Sequence, residues 1–313
     1  MKRETAKGWT RRVVLGSLTG GASDRLRVGY QKNGLLLLAK RSGRLEAALK
    51  APPETQLGWL EFSVGPPLLE AMSVGSIDLG STGDAPPIFA QAAGAPIVYV
   101  GMVRLSGAAG GILASRTSGI SSLADLRGKR FAFTRGSSAH NVAAAALESA
   151  GLTFNDVKPV ALSPADAATA FAQGGIDAWV IWDPYMTVAI RDQGARRLSL
   201  PANLVGGAAF FLANRDFAES RGEVLARALN ALAEEGRWAS GHRDEVAALQ
   251  AEETGLPLDL LKLTVTRDNF ELTPISPDIL ARQQEIADRF ARLGLIPRPV
   301  RIMDAVWTGW SRS

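Results

Sequence analysis

A four-residue motif occurs twice in this chain: Gly75-Ser76-Ile77-Asp78 returns as Gly174-Gly175-Ile176-Asp177. Each copy closes a stretch with helical spacing and opens a β-like run. The echo then continues, because Asp84 follows the first copy with Pro86 and Pro87 behind it, and Asp183 follows the second with Pro184 behind it. Each half thus has a strand, a polar turn and a new helix. A duplicated α/β lobe accounts for both copies, and 313 residues are enough for two cores joined by a hinge.

The rest of the chain fits that frame. From Arg25 onward short β-like runs alternate with helical segments, which predicts an α/β fold with largely parallel sheets. Leu26 to Gln31 alternates with period two and leads into an apolar helix-like run from Leu35 to Leu49, and Leu57 to Phe62 reads as the second strand. Pro66 and Pro67 suit the first turn of a helix whose buried side is Leu68, Leu69 and Met72. Small-residue stretches at Gly107–Gly111 and Leu204–Gly207 are where the chain would cross between lobes. The expected organisation is residues 25–110 and 207–313 in lobe 1 and residues 111–206 in lobe 2. Helical segments at 222–239 and 277–292 should buttress the first lobe.

Charge and composition then exclude several functions. The formal charge is +4, but residues 1–12 hold five basic residues against Glu4, and the remainder has 30 basic and 30 acidic residues. A neutral body argues against a nucleic-acid partner. The basic head, Thr10-Arg11-Arg12-Val13-Val14-Leu15-Gly16 followed by small and apolar residues to Ala22, resembles the start of a twin-arginine export signal, so residues 1–24 are expected to be an export segment. With no cysteine and only His140 and His242, disulfides, thiolate metal sites and histidine-rich metal sites are not expected. No cofactor is implied.

In open α/β sheets ligands sit beyond the carboxyl ends of strands, where helix N-termini present unpaired N–H groups. Three segments have this form: Gly80-Ser81-Thr82-Gly83-Asp84, Arg135-Gly136-Ser137-Ser138-Ala139-His140-Asn141, and Trp182-Asp183-Pro184-Tyr185. The run Val142 to Leu147 favours helix strongly, which makes Ser137 or Ser138 the N-cap.

These loops, together with Leu26 to Lys32, Gly75 to Asp84, Pro86 to Gly94, Gly136 to Asn141 and Ile176 to Tyr185, resemble the aliphatic sulfonate-binding proteins, a branch of the family that also holds taurine- and nitrate-binding proteins. The resemblance runs from about residue 25 to the C-terminus. It implies a type II periplasmic binding protein fold, two α/β lobes with a hinge and a ligand cleft between them. It also implies a periplasmic, monomeric solute-binding protein that delivers its ligand to an ABC permease in the inner membrane. Carried over by motif position, Gln31, Thr82, Gly83, Asp84, Gly136, Ser137, Ser138, His140 and Trp182 would line or shape the cleft. Ser81 and Asp183 fall in the same loops. Arg104 to Gly110 and Val205 to Phe210 depart from the family pattern, which bears on ligand preference rather than on fold.

A sulfonate is a permanent anion with three acceptor oxygens, so its site needs donors. Backbone N–H groups at Gly83 and Ser137–Ser138, hydroxyls of Thr82 and Ser138, and the Gln31 amide can supply them with help from helix dipoles. Trp182, Leu35 and Phe211 would form the apolar wall. Other roles remain open for each: Ser137 and Ser138 as helix caps only, His140 as a supporting or surface group, Trp182 as plain core. Asp84 and Asp183 suit capping better than ligand contact, because a carboxylate repels an anion. An enzyme on the same fold, a desulfinase, uses a cysteine nucleophile that this chain lacks. A Ser137–His140–Asp183 triad would have no nucleophile elbow. A regulator's effector domain would need a DNA-binding helix pair, for which residues 1–24 are too short. A binding protein for taurine, nitrate or another small anion is the remaining alternative.

Overall fold

The computed structural model describes residues 25–52, 54–202 and 204–311; the export-like segment 1–24 lies outside the described residues. The chain opens with β1 (Arg25–Tyr30), α1 (Gly34–Ser42), α2 (Arg44–Leu49), β2 (Gln56–Glu61), α3 (Gly65–Ser73), β3 (Leu79–Thr82), α4 (Ala85–Ala92) and β4 (Ile97–Leu105). It crosses into a second unit made of β5 (Gly110–Ala114), β6 (Arg130–Phe133), α5 (Ser138–Ser149), β7 (Lys158–Ala161), α6 (Pro164–Ala172), β8 (Ala178–Trp182), α7 (Tyr185–Gln193) and β9 (Arg196–Arg197). It returns through β10 (Gly207–Asn214) and ends with α8 (Arg215–Ser220), α9 (Gly222–Gly241), α10 (Arg243–Thr254), α11 (Leu258–Val265), β11 (Leu272–Thr273) and α12 (Pro277–Arg292).

The two sheets carry the duplication. One has the order β11-β4-β10-β3-β1-β2 and the other β7-β6-β8-β5-β9. From one edge, β2-β1-β3-β10-β4 matches β7-β6-β8-β5-β9: the first three strands are parallel and the fourth is antiparallel in both. The sheets are therefore mixed rather than largely parallel. In each, the antiparallel fourth strand is the one that follows a crossover, since β5 starts where the chain enters the second lobe and β10 where it comes back. A chain arriving from the hinge side has to run against strands that end there.

The repeated motif serves the same purpose in both lobes. Gly75 and Gly174 turn with φ of 69° and 70°, a conformation that needs glycine. Ile77 and Ile176 are buried in the core. Asp78 accepts from the backbone N–H, Nε and Nη2 of Arg27 at 2.7, 2.9 and 2.5 Å, and Asp177 accepts from the same three groups of Arg130 at 2.8, 3.1 and 2.7 Å. Each aspartate thus pins the chain entering β3 or β8 to the strand beside it, and the Asp177 carboxyl is held below its usual range chiefly by the Arg130 hydrogen bond.

Two local expectations are corrected and a third holds. The helix from Leu35 to Leu49 is two helices, because Gly43 adopts the left-handed conformation and closes α1 with an N–H to the Ala39 carbonyl. Gly80 to Thr82 and Trp182 belong to strands, not loops: pairing of Thr82 with Phe210 and of Trp182 with Gly110 carries β3 and β8 further than their polarity indicates. Pro66 and Pro67 do occupy the first turn of α3, with Leu68, Leu69 and Met72 buried. On the first sheet α9 packs against α1 and α2, and α12 against α4 and β10.

Candidate functional site

The parallel strands β1 and β3 of one sheet and β8 of the other point their carboxyl ends at one cavity of about 280 Å³ between the lobes, and the antiparallel β5 and β10 begin beside it. That is near the lower edge for small-molecule sites and suits a ligand of a few carbons rather than a dinucleotide. Of the twelve candidate residues, Gln31, Leu35, Ser81, Thr82, Gly83, Asp84, Ser137, Ser138, Trp182 and Asp183 line it. Leu35, Trp182 and Phe211 form apolar wall, as their residue types suggest.

The polar side of the cavity is built from strand ends and a helix start. The Gln31 amide donates to the Ser81 carbonyl at 3.1 Å, which spans β1 and β3 and leaves its second N–H available. Ser137 caps α5, accepting from the Ala139 N–H at 3.2 Å while its hydroxyl donates to the Thr134 carbonyl at 2.7 Å. Ser138, the first residue of that helix, accepts at Oγ from the Asp84 N–H at 3.2 Å, a contact between the two lobes. The N–H groups of Gly83 and Ser138 have no protein acceptor among the described residues. Among the described residues no lysine or arginine lines the cavity.

Asp84 and Asp183 line the cavity with their carboxylates already engaged. Asp84 caps α4 through the Ala85 N–H at 2.7 Å and accepts from the Asn141 amide of the other lobe at 2.8 Å. Burial raises its carboxyl above the usual range, against the hydrogen bonds from Ser138 and Asn141. Asp183 takes the Thr187 N–H and hydroxyl on one oxygen and Arg267 on the other, at 2.6 Å.

Gly136 and His140 do not line the cavity. Two residues beyond Ser138 a helix has turned by about 200°, so His140 faces away from the ligand side. Its ring stacks at 4.9 Å on Phe133 and at 5.9 Å on Phe89, with Phe290 and Phe154 on its flanks. Phe89 and Phe290 come from one lobe and Phe133 and Phe154 from the other, which places His140 in the seam between them. Its Nδ1 accepts the Gly136 N–H at 3.3 Å, while Ser137 donates elsewhere, so no serine–histidine pair exists here.

Burial, then the nearby Arg135 charge, push the His140 pKa down from 6.5 to about 4. The neutral ring is the folded form, so its contribution is complete above pH 6.5 and is lost as pH falls toward 4. A shift of that size is worth about 3 kcal/mol. Chemical denaturation across pH 7 to 4 should show wild type losing about that much more stability than His140→Phe; parallel curves would refute the assignment.

Ser106 and Ala109 also line the cavity; they come from the first crossover, within the Arg104–Gly110 stretch whose departure from the family pattern bears on ligand preference. Gln250, Asp268 and Phe270, from the C-terminal helical region, had no signal in the sequence, because no motif or spacing links these positions to the loops above. The lobes are also tied by Arg289, which donates to Asn141 at 3.0 Å and to Glu148 at 2.8 Å, and by Arg292, which donates to Glu148 at 2.8 Å.

Two mixed-sheet α/β lobes closing on a donor-lined cavity define a periplasmic-type solute-binding protein. Residues 67–246 match the NMT1/THI5-like family. The chain is 43% identical over 286 residues to an aliphatic sulfonates-binding protein of Escherichia coli (strain K12), covering 91% of this chain and 89% of that one. The alkanesulfonate-binding protein of Xanthomonas axonopodis pv. citri bound to MOPS superposes with a TM-score of 0.85 at 40% identity, over 91% of this chain and 98% of that one. The periplasmic aliphatic sulphonate-binding protein of Escherichia coli gives 0.80 at 41% identity, over 93% and 94%. This chain belongs to the aliphatic sulfonate-binding protein family, whose members are binding proteins and not enzymes.

Proposed function

We propose that this protein is the extracytoplasmic solute-binding component of an ABC importer, capturing aliphatic sulfonates for sulfur acquisition and passing them to a permease in the inner membrane. The observation that carries this is an anion site made of uncharged donors. The Gly83 and Ser138 N–H groups, the Gln31 amide and the Ser138 hydroxyl lie around one cavity that also has apolar wall; the Thr82 hydroxyl, expected from its residue type to be a further donor, instead donates to the Gly83 carbonyl at 3.0 Å. A sulfonate cannot donate, so a site of donors fits it, and helix α5 aims its positive end at the charge. The relatives' sulfonate ligands support the same reading.

The ligand bridges two lobes, residues 25–110 with 207–313 and residues 111–206, and shifts a hinged equilibrium toward the closed form that the permease recognises. Residues 1–24 serve as the export signal, of twin-arginine type. Among the described residues no helix is long and apolar enough to cross a membrane.

A thermal-shift panel tests the ligand class. Short alkanesulfonates at a hundredfold excess over Kd should stabilise the protein by about 2.7 kcal/mol, with sulfate and nitrate giving little. A flat response to every sulfonate would overturn the proposal and leave only the fold.

A further inference from the structure

The cavity assigned above to an anion is lined by three carboxylates, Asp84, Asp183 and Asp268, and by no lysine or arginine among the described residues. An uncompensated carboxylate beside an anion repels it, so that charge has to be settled from outside the wall. Asp84 is hydrogen-bonded by uncharged donors, the Ala85 N–H and the Asn141 amide. Asp183 is met differently: Arg267 Nη1 donates to its Oδ2 at 2.6 Å and to the neighbouring Thr187 hydroxyl at 2.9 Å. The Thr187 hydroxyl and N–H complete the arrangement by donating to Asp183 Oδ1 at 2.6 and 3.1 Å. Arg267 itself does not line the cavity.

The pair also joins the two lobes. Arg267 stands between α11 and β11, and β11 pairs with β4 of the six-stranded sheet. Asp183 follows β8 of the five-stranded sheet, and Thr187 is in α7. The Asp183 side chain is 5% exposed and that of Arg267 25%, so water and salt screen the pair weakly. Arg267 acts on a second carboxylate of the wall as well: burial and the Asp183 charge push the Asp268 carboxyl up to about 6, against Arg243 and Arg267. The other cations nearby are committed elsewhere. Arg243 donates to the Val265 and Asp268 main-chain carbonyls, and Arg197, which also feels the Asp183 charge, donates through Nη2 to the Gly107 and Gly110 carbonyls at 2.5 Å.

Resting on the sulfonate reading, we propose that Arg267 is a positioning residue for the anion: reaching across the lobe boundary, it neutralises Asp183 from behind the wall, so that a cavity lined by carboxylates accepts a sulfonate when the lobes are closed. Closure and anion binding then support each other. Separating the lobes withdraws Arg267 from Asp183 and leaves a bare carboxylate facing the ligand, and bringing them together removes that repulsion. A single nitrogen makes both contacts, so the position requires the positive charge rather than the guanidinium fork.

Isothermal titration calorimetry on the full chain with butane-1-sulfonate tests this. Arg267→Gln, which leaves Asp183 buried without its cation, should weaken binding about ten- to a hundredfold. Arg267→Lys, which keeps the charge on one nitrogen, should stay within a few-fold of wild type. Adding Asp183→Asn to Arg267→Gln should restore affinity to within a few-fold of wild type, because the charge to be neutralised is gone; a merely structural tie would lose further with the second substitution. Unchanged binding by Arg267→Gln, or no recovery in the double variant, would overturn the role while leaving the sulfonate site standing. If Arg267→Gln folds poorly, Arg267→Lys and the double variant carry the test, and a loss of about tenfold in either overturns the role. No binding of butane-1-sulfonate by wild type would overturn the sulfonate reading and this role with it.

Discussion

Replacing Gly83 with alanine is expected to weaken sulfonate binding by about ten- to a hundredfold while leaving the fold intact. A Cβ at this position would stand 1.9 Å from Ser138 Oγ and 3.2 Å from Ser138 Cβ. Gly83 follows β3 in one lobe and Ser138 opens α5 in the other, so the clash arises only where the lobes meet. The Ser138 hydroxyl would have to swing away from the Asp84 N–H that it now accepts at 3.2 Å, leaving a buried donor without a partner. Such a loss costs about 1–3 kcal/mol, which is the stated range in affinity. Calorimetric titration with an alkanesulfonate reads it directly. Adding Ser138→Gly should recover part of the loss because it removes both clashing atoms; a Gly83→Ala protein that binds as wild type does would mean that the lobes stand further apart around the ligand.

The largest loss of stability is expected from Gly236→Ala. Helix propensity by itself predicts the opposite, a gain of about 1 kcal/mol for alanine over glycine in a helix interior. Packing decides against it, because the new Cβ would lie 2.0 Å from the Phe270 carbonyl oxygen and 3.1 Å from its carbon. These are main-chain atoms that no rotamer change can move. Overpacking of this kind costs about 3 kcal/mol, so the net effect is a fall in Tm of several degrees, at about 2–4 °C per kcal/mol for chains somewhat smaller than this one. The strained segment is also the turn that brings Arg267 to Asp183 and Asp268 to the cavity, so ligand affinity should fall with stability. Gly241→Ala, near the end of the same helix and with nothing within 4 Å of its Cβ, is the control and should leave Tm unchanged or slightly higher. A rise in Tm for Gly236→Ala would show that α9 can move off the 266–271 turn.

These two glycines show where sequence is informative and where it is not. Gly83 stands in a loop whose pattern, strand then polar turn then proline-led helix, is local. Gly236 lies within an ordinary amphipathic helix, and nothing near it in sequence marks it as the point where a distant carbonyl touches. The same contrast runs through the site. Ser137 is recognisable as a cap because capping involves residues two or three apart, and the Asp78 and Asp177 turns are recognisable because each begins with a glycine of fixed conformation. His140 shares a helix start with Ser138, and only the direction of that helix against α4 and α12 turns it into the aromatic seam instead of the cavity.

The sequence by itself determined the duplicated α/β plan, the strand-end loops that bear the donors, and the absence of any cysteine chemistry, because each of these depends on residues close together in the chain. Only the tertiary structure decided that the sheets are mixed, that Asp84 is engaged by Asn141 and Asp183 by Arg267, and that Gln250 and Asp268 line the cavity. Those features depend on how two lobes and a C-terminal helical region pack against one another, and contacts between residues 57 and 84 positions apart leave no periodicity or spacing in a single chain from which to read them.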